Sequence, residues 1–235
     1  MPLEIPIHIW PLTGDDAHVE RMATLLSADE SARAARFVFE RDRRAHILAR
    51  GRLRQVLADA MGKTPHDLTF AYGAHGKPAL PDGLEFNLSH SDGLACLALH
   101  PEVELGVDIE AFREIEDGVA ERFFSSREYA DLSALPAAHW SAGFFRCWTR
   151  KEAVVKAIGD GLSIPLDAFD VTLTPGVPPR MTRLDPARGS LADWTLAHFD
   201  LGPGMVGALA VRARGRAIRP VLATCPKDQP FHWSL

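Results

Sequence analysis

The sequence predicts an α+β protein of two similar halves, residues 1–105 and 106–235, each a small antiparallel sheet packed against helices. Three observations carry this reading. A composition of 46% hydrophobic and 24% charged residues over 235 positions is enough to bury a full core. Each half holds one long stretch with apolar residues at helical spacing, Arg41 to Met61 and Ala142 to Ile158. Each also holds a pair of short strand-like runs: Leu84 to Ser89 with Leu94 to Leu99, and Trp194 to Phe199 with Val206 to Val211.

Taken in order, Ile5 to Trp10 alternates apolar and polar positions as a short strand does, and a polar turn leads into a helix around His18 to Leu26. Ser27 is an N-cap with acids behind it, opening a helix through Arg33 and Arg36 toward Phe37. In Arg41 to Met61 the apolar stripe is Ile47, Leu48, Leu53, Val56, Leu57 and Met61, arginines take the remaining face, and Gly62 is the stop. A polar turn, the segment Thr69 to Tyr72 and a Gly/Pro loop through Gly76-Lys77-Pro78 separate this helix from the first strand pair. Leu105 to Ile109 is one more strand. Helices follow at Gly118 to Phe123, Ser126 to Leu135 and Ala142 to Ile158, broken by Gly159 and Gly161, then a strand-like run at Phe169 to Leu173. There is no short-period repeat and no low-complexity segment beyond a Pro/Arg-rich loop at 175–190.

A net charge of −5 argues against duplex nucleic acid as a partner, since such proteins carry a strong positive excess. The charge is nonetheless segregated. Glu30 to Arg54 carries eight arginines against three carboxylates, a local +5, whereas Glu102 to Asp131 has ten carboxylates against three arginines, a local −7. Cys96, Cys147 and Cys225 are odd in number and widely spaced, so neither a disulfide framework nor a CxxC metal knuckle is expected, and a reducing cytoplasm fits. Neither a secretion signal nor a run approaching the ~20 apolar residues of a membrane span is read in the sequence.

Three short motifs can carry chemistry. In Gly106-Val107-Asp108-Ile109-Glu110 strand alternation puts Asp108 and Glu110 on one face and Val107 and Ile109 on the other. The pair reads either as a solvated strand edge or as half of a hard-cation site, because close carboxylates repel unless a cation relieves them. In Trp148-Thr149-Arg150-Lys151-Glu152-Ala153-Val154-Val155-Lys156, residues 148, 152 and 156 share a helix face; Glu152 and Lys156 are also an ordinary surface pair. Asn87-Leu88-Ser89-His90 ends a strand with a hydroxyl and an imidazole, suited either to a phosphate or to a plain polar turn. No Walker loop, GxGxxG or GxSxG elbow is present.

The order of the motifs is more specific than any one of them. Gly-Lys-Pro, Asn-Leu-Ser-His some ten residues on, Gly-Val-Asp-Ile-Glu about twenty further, and Trp-Thr-Arg-Lys-Glu-Ala-Val-Val-Lys about forty beyond resemble the 4′-phosphopantetheinyl transferase superfamily, in particular its Sfp-type branch. The resemblance spans roughly residues 25–175, including Ala35-Arg36-Phe37, Arg122-Phe123-Phe124-Ser125 and Gly161-Leu162-Ser163-Ile164-Pro165-Leu166, and the length suits the pseudo-dimeric type. It implies that Asp108, Glu110 and Glu152 ligate Mg²⁺, with Mn²⁺ as the alternative ion, against the pyrophosphate of coenzyme A. It further implies that Lys156 lies at that pyrophosphate, Ser89 and His90 at the 3′-phosphate end, Lys77 at the nucleotide pocket and Arg33 at a phosphate. His46 and Glu30 depart from the type member, which has threonine and lysine there.

The reaction so implied is attack by a serine of an apo acyl or peptidyl carrier protein on the β-phosphate of coenzyme A, releasing adenosine 3′,5′-bisphosphate. Glu152 is the expected base, directly or through a metal-bound water, with Lys156 or water as the alternatives, and Lys156 offsets charge on the leaving oxygens. The expected form is a cytoplasmic monomer with neither membrane nor nucleic acid as partner. The alternatives are a non-catalytic coenzyme A or carrier-protein binding module of the same fold, and a metal-dependent phosphodiesterase, which normally needs a second metal. Phe123 and Phe124 are assigned to the core in preference to a carrier-docking surface.

Overall fold

The computed structural model describes residues 1–73, 76–81, 83–159, 164–224 and 232–234. Cys225 and the Gly161-Leu162-Ser163 part of the motif string lie outside the described residues. The strands are β1 (Leu3–Pro11), β2 (Ala71–Tyr72), β3 (Pro78–Ala79), β4 (Glu85–Ser91), β5 (Leu94–His100) and β6 (Leu105–Ala111). β7 (Asp170–Val171), β8 (Met181–Arg183), β9 (Trp194–Asp200), β10 (Met205–Arg212), β11 (Ile218–Thr224) and β12 (His232–Ser234) follow. The helices are α1 (Asp16–Ala23), α2 (Ala28–Ala34), α3 (Glu40–Met61), α4 (Val119–Phe123), α5 (Ser126–Ser133) and α6 (Ala137–Ile158).

Two four-stranded sheets organise the chain, in the orders β11-β1-β5-β4 and β12-β9-β10-β6. The α+β expectation is met. In each sheet a leading strand, β1 or β6, pairs antiparallel with the second strand of a later hairpin, β4-β5 or β9-β10. A 22-residue helix lies between leading strand and hairpin in both. Helix α3 stops at Gly62, which adopts the left-handed conformation (φ 63°) that a side chain would disfavour. Its buried stripe, including Ile47, Leu48, Leu53 and Leu57, packs with Trp10, Phe86 and Leu97 of the first sheet. A second cluster lies under α6, and a third fills the space between the sheets with Ile5, Ile7, Val107, Ile109, Phe199 and Leu209.

Helix α6 begins at Ala137, five residues before the sequence-based start. Strand β11 was not anticipated. It leaves the second half and pairs parallel with β1, Leu3 opposite Ile218, so the first sheet is completed from the far end of the chain.

Strands β4 and β6 face each other edge to edge and are joined by side chains. Asn87 Oδ1 accepts from the Val107 amide (2.9 Å), Ser89 Oγ from Ile109 (3.3 Å) and Ser91 Oγ from Ala111 (3.1 Å). Period-two spacing on both strands makes this a polar comb satisfying otherwise orphaned edge amides. On the other side α6 crosses close to β6 at Gly106, where a Cβ would run into the Ala153 carbonyl oxygen and the Ala157 amide. That close approach brings the α6 side chains over Asp108.

Between α6 and the second sheet, His198 is 3% exposed, and among the described residues neither ring nitrogen makes a hydrogen bond of good geometry, Asp200 Oδ1 standing 3.6 Å from Nε2. Burial, then the Arg150 and Arg146 charges, depress its pKa to about 3. An unfolded chain binds a proton there near pH 6.5 and the folded one does not, so this group's contribution to stability falls as pH drops from about 6.5 toward 3. The paired carboxylates Glu30 and Asp170, held low by arginines against their burial, add loss in the same direction. We expect His198→Leu to flatten the acid limb of a urea-midpoint profile by up to ~1.4 kcal/mol per pH unit between pH 6 and 4.5. An unchanged slope would contradict the assignment.

Candidate active site at the junction of the two sheets

Leu88, Ser89, His90, Asp108, Ile109, Glu110, Trp148, Glu152 and Lys156 line one cleft of ≈350 Å³. β4, β6 and α6 therefore meet at this cleft. Val107 and Ile109 are in the intersheet core, and Asp108 and Glu110 project the other way, toward α6. Trp148, Glu152 and Lys156 share the helix face that looks into the cleft. Trp148 stacks on Phe144 (5.7 Å between centroids) and meets Phe123 edge-on (5.8 Å), which fixes the aromatic wall. Phe124 is core, as read from the sequence, and Phe123 is half-buried.

Asp108 is the centre of the network. Its Oδ1 accepts from Lys156 Nζ (2.6 Å) and Ser89 Oγ (2.9 Å), and Lys156 Nζ also stands 3.1 Å from Ser89 Oγ. Its Oδ2 is buried with no hydrogen-bond partner among the described residues. Burial drives the Asp108 carboxyl above the usual range despite Lys156. Glu152 is raised for the same reasons, burial first and the Asp108 and Glu110 charges after it. Three carboxylates thus face one cleft with two of them strained toward protonation, the condition a cation relieves.

Among the described residues no three His, Cys, Asp or Glu side chains converge on a single metal position. Cations of the chain itself engage two of the three carboxylates: Lys156 binds Asp108, and Arg113 Nη1 binds Glu110 Oε2 at 2.7 Å. The donor set still fits a hard cation. It is all oxygen, it lines one cleft, and Asp108 Oδ2 is an orphaned acceptor within it.

The remaining predicted residues distribute less uniformly. His90 is exposed at the cleft edge, whereas Ser89 is 5% exposed with its hydroxyl committed to the comb and to Asp108. Lys77 Nζ donates to the Lys156 carbonyl (2.8 Å), so it caps the end of α6 beside the cleft. Arg33 lies outside the cleft lining, in a second groove of ≈630 Å³ with Asp29, Ala32, Arg36 and Phe37. His46 flanks that groove, its ring 5.2 Å from Phe37 and its Nε2 unpartnered.

Several arginines of the Glu30 to Arg54 segment are committed to acids of the chain itself. Glu30 is buried and binds Arg50 and Arg54, while Arg44 binds Asp16 and Arg43 binds Glu40. Glu30 and Glu40 are already counted in the local +5 and only Asp16 lies outside the segment, so these pairs fix individual arginines but leave the positive excess largely in place, with Glu30 as the anchor of Arg50 and Arg54. Arg113 was not singled out in the sequence, although its position three residues after Glu110 on the departing strand end was available as a signal.

A sequence profile described as "4'-phosphopantetheinyl transferase superfamily" matches residues 104–209, and one described as "4'-phosphopantetheinyl transferase, N-terminal" matches residues 12–102. The 4'-phosphopantetheinyl transferase HetI of Nostoc sp. is 38% identical over 218 residues, 89% of each chain. The enzyme AcpT of Salmonella typhi is 39% identical over 165 residues, covering 68% of this chain and 81% of that one. Sfp of Bacillus subtilis (strain 168) is 33% identical over 156 residues, 66% of this chain and 69% of its own. The chain belongs to the 4′-phosphopantetheinyl transferase superfamily, and within it to the Sfp-type family. It is accordingly an enzyme that transfers phosphopantetheine to carrier proteins. No helix among the described residues is long and apolar enough to cross a membrane.

Proposed function

We propose that the donor is coenzyme A, that the transfer depends on Mg²⁺ or, as the alternative ion, Mn²⁺, and that adenosine 3′,5′-bisphosphate is the product released. The observation that carries this reading is the orphaned, buried Asp108 Oδ2 in a cleft shared with Glu110, Glu152 and Lys156. Asp108, Glu110 and Glu152 would hold the ion. The ion would supply charge neutralisation on the pyrophosphate that no single side chain can match. Ser89 and His90 hold the phosphate end of the donor at the β4 side, Lys77 lines the nucleotide pocket, and Arg33 meets a phosphate from the second groove.

The carrier serine oxygen bonds to the β-phosphorus as the bond from that phosphorus to the bridging oxygen breaks. Glu152 takes the serine proton, and the Lys156 ammonium offsets the charge left on the departing α-phosphate. Lys156 is suited to this because it sits on the cleft-facing side of α6, one turn from Glu152.

The halves 1–105 and 106–235 form a pseudo-dimer in this reading. The first would supply the phosphate contacts and the second the carboxylates. Support comes from the parallel strand orders β1-β5-β4 and β6-β10-β9 and from the two matched profiles, which part near residue 103. Because one chain furnishes both sides of the cleft, it acts as a monomer, and its buried Cys96 and Cys147 suit the cytoplasm.

Incubating an apo carrier protein with coenzyme A and Mg²⁺ tests the reaction by intact mass. One phosphopantetheine is expected to be added, none in excess EDTA, and the gain restored by Mg²⁺. Undiminished transfer in EDTA would remove the metal from the mechanism.

A further inference from the structure

The β4–β6 comb does more than join two edges, because two of its hydroxyls each hold a carboxylate as well as an amide. Ser89 Oγ accepts from Ile109 N and donates to Asp108 Oδ1. One pleat repeat along, Ser91 Oγ accepts from Ala111 N (3.1 Å) and donates to Glu110 Oε2 (3.1 Å). The same oxygen of Glu110 takes the Arg113 guanidinium at 2.7 Å, and Arg113 lies 5.5 Å over the Phe145 ring. The Glu110 side chain is 18% exposed and that of Arg113 59%. Glu110 is thus fixed by one neutral donor that belongs to the strand framework and by one cation at the cleft margin that is free to leave.

Resting on the metal reading above, we propose that Ser91 is a positioning residue that holds Glu110 toward the cleft and that Arg113 is a built-in counter-ion from which Glu110 must be released when a metal binds. The two contacts act in opposite senses. Ser91 is anchored through its backbone pairing with Leu94 and through Ala111, so it constrains the carboxylate at no charge cost to the ion. Arg113 supplies the positive charge that a divalent cation would supply, and the two compete for one oxygen. Three carboxylates line the cleft without converging, and Lys156 and Arg113 hold Asp108 and Glu110 in their metal-free partnerships.

Mn²⁺ binding to the full chain, followed by the loss of the free-ion paramagnetic resonance signal and without substrate, separates the roles. Ser91→Ala is expected to weaken Mn²⁺ about 10-fold, the range typical of residues that orient a metal ligand, and Ser91→Thr to restore it. Arg113→Gln is expected to tighten Mn²⁺ about 2- to 5-fold, the reach of an exposed ion pair. Wild-type affinity in Ser91→Ala, or weaker binding in Arg113→Gln, overturns the proposal. Glu110→Gln is the control: affinity unchanged in that variant overturns the metal assignment of Glu110 itself, whereas weakening there with no response to Ser91→Ala overturns only the positioning role.

Discussion

Replacing Glu152 by Gln is expected to lower carrier-protein modification by about 10²- to 10⁴-fold while leaving coenzyme A binding and thermal stability in place. The amide keeps the shape of the side chain and cannot take a proton. No hydrogen bond from the Glu152 side chain holds the fold together among the described contacts, and its charge is opposed by burial and by Asp108 and Glu110. Removing that charge relieves repulsion, so the melting temperature should hold or rise in the metal-free protein. This opposition between activity and stability separates a functional carboxylate from a structural one. Single-turnover transfer followed by intact mass, with calorimetric binding of coenzyme A alongside, reads both. Turnover near wild type would sink Glu152 as the base.

The largest stability effect should come from its neighbour. Lys151 is fully buried, and its Nζ contacts Glu128 Oε2 (2.7 Å) and the carbonyls of Leu166 and Phe169 (2.6 Å each), above the Phe169 ring at 4.4 Å. Glu128 in turn accepts from the Ser125 and Val171 amides. Lys151→Met leaves a buried carboxylate without its cation and two carbonyls without a donor, a change worth ~3–5 kcal/mol. For a chain of this size that is a fall in Tm on the order of 10 °C. The double variant Lys151→Met/Glu128→Leu should recover part of it, because the orphaned charge is removed together with its partner. A loss under 1 kcal/mol in the single variant would contradict this account.

These two adjacent residues show where sequence reasoning succeeds and where it stops. Glu152 was legible because a four-residue spacing puts it with Trp148 and Lys156, and the alternation of Asp108 and Glu110 was legible for a similar reason, since both are local geometry. Lys151 gave no such signal. A lysine on an amphipathic helix reads as solvent-facing, and only the arrival of Glu128 from α5 and the segment ending at Phe169 makes its position internal. The role of Glu30 was hidden in the same way, because it reads as a first-turn acid and proves to be the hub for Arg50 and Arg54. The comb was equally hidden: Asn87, Ser89 and Ser91 alternate visibly, yet nothing in the sequence says that their partners are amides twenty residues on. Strand β11 was missed because Ile218–Thr224 carries Pro220, is half-exposed and gains its partner only from the opposite end of the chain.

That last pairing bears on how the protein is made. β1 leaves the ribosome before β11, which is translated more than 200 residues later. At typical synthesis rates of 5–20 residues per second the interval is on the order of 10–40 s. Throughout it the outer edge of β1 presents unpaired amides and carbonyls among Ile5, Ile7 and Ile9 to every other nascent chain nearby. Closure also spans more than 200 residues of sequence, which slows the search for it. Production of active enzyme should therefore depend on chaperone capacity and growth temperature more than its equilibrium stability would indicate.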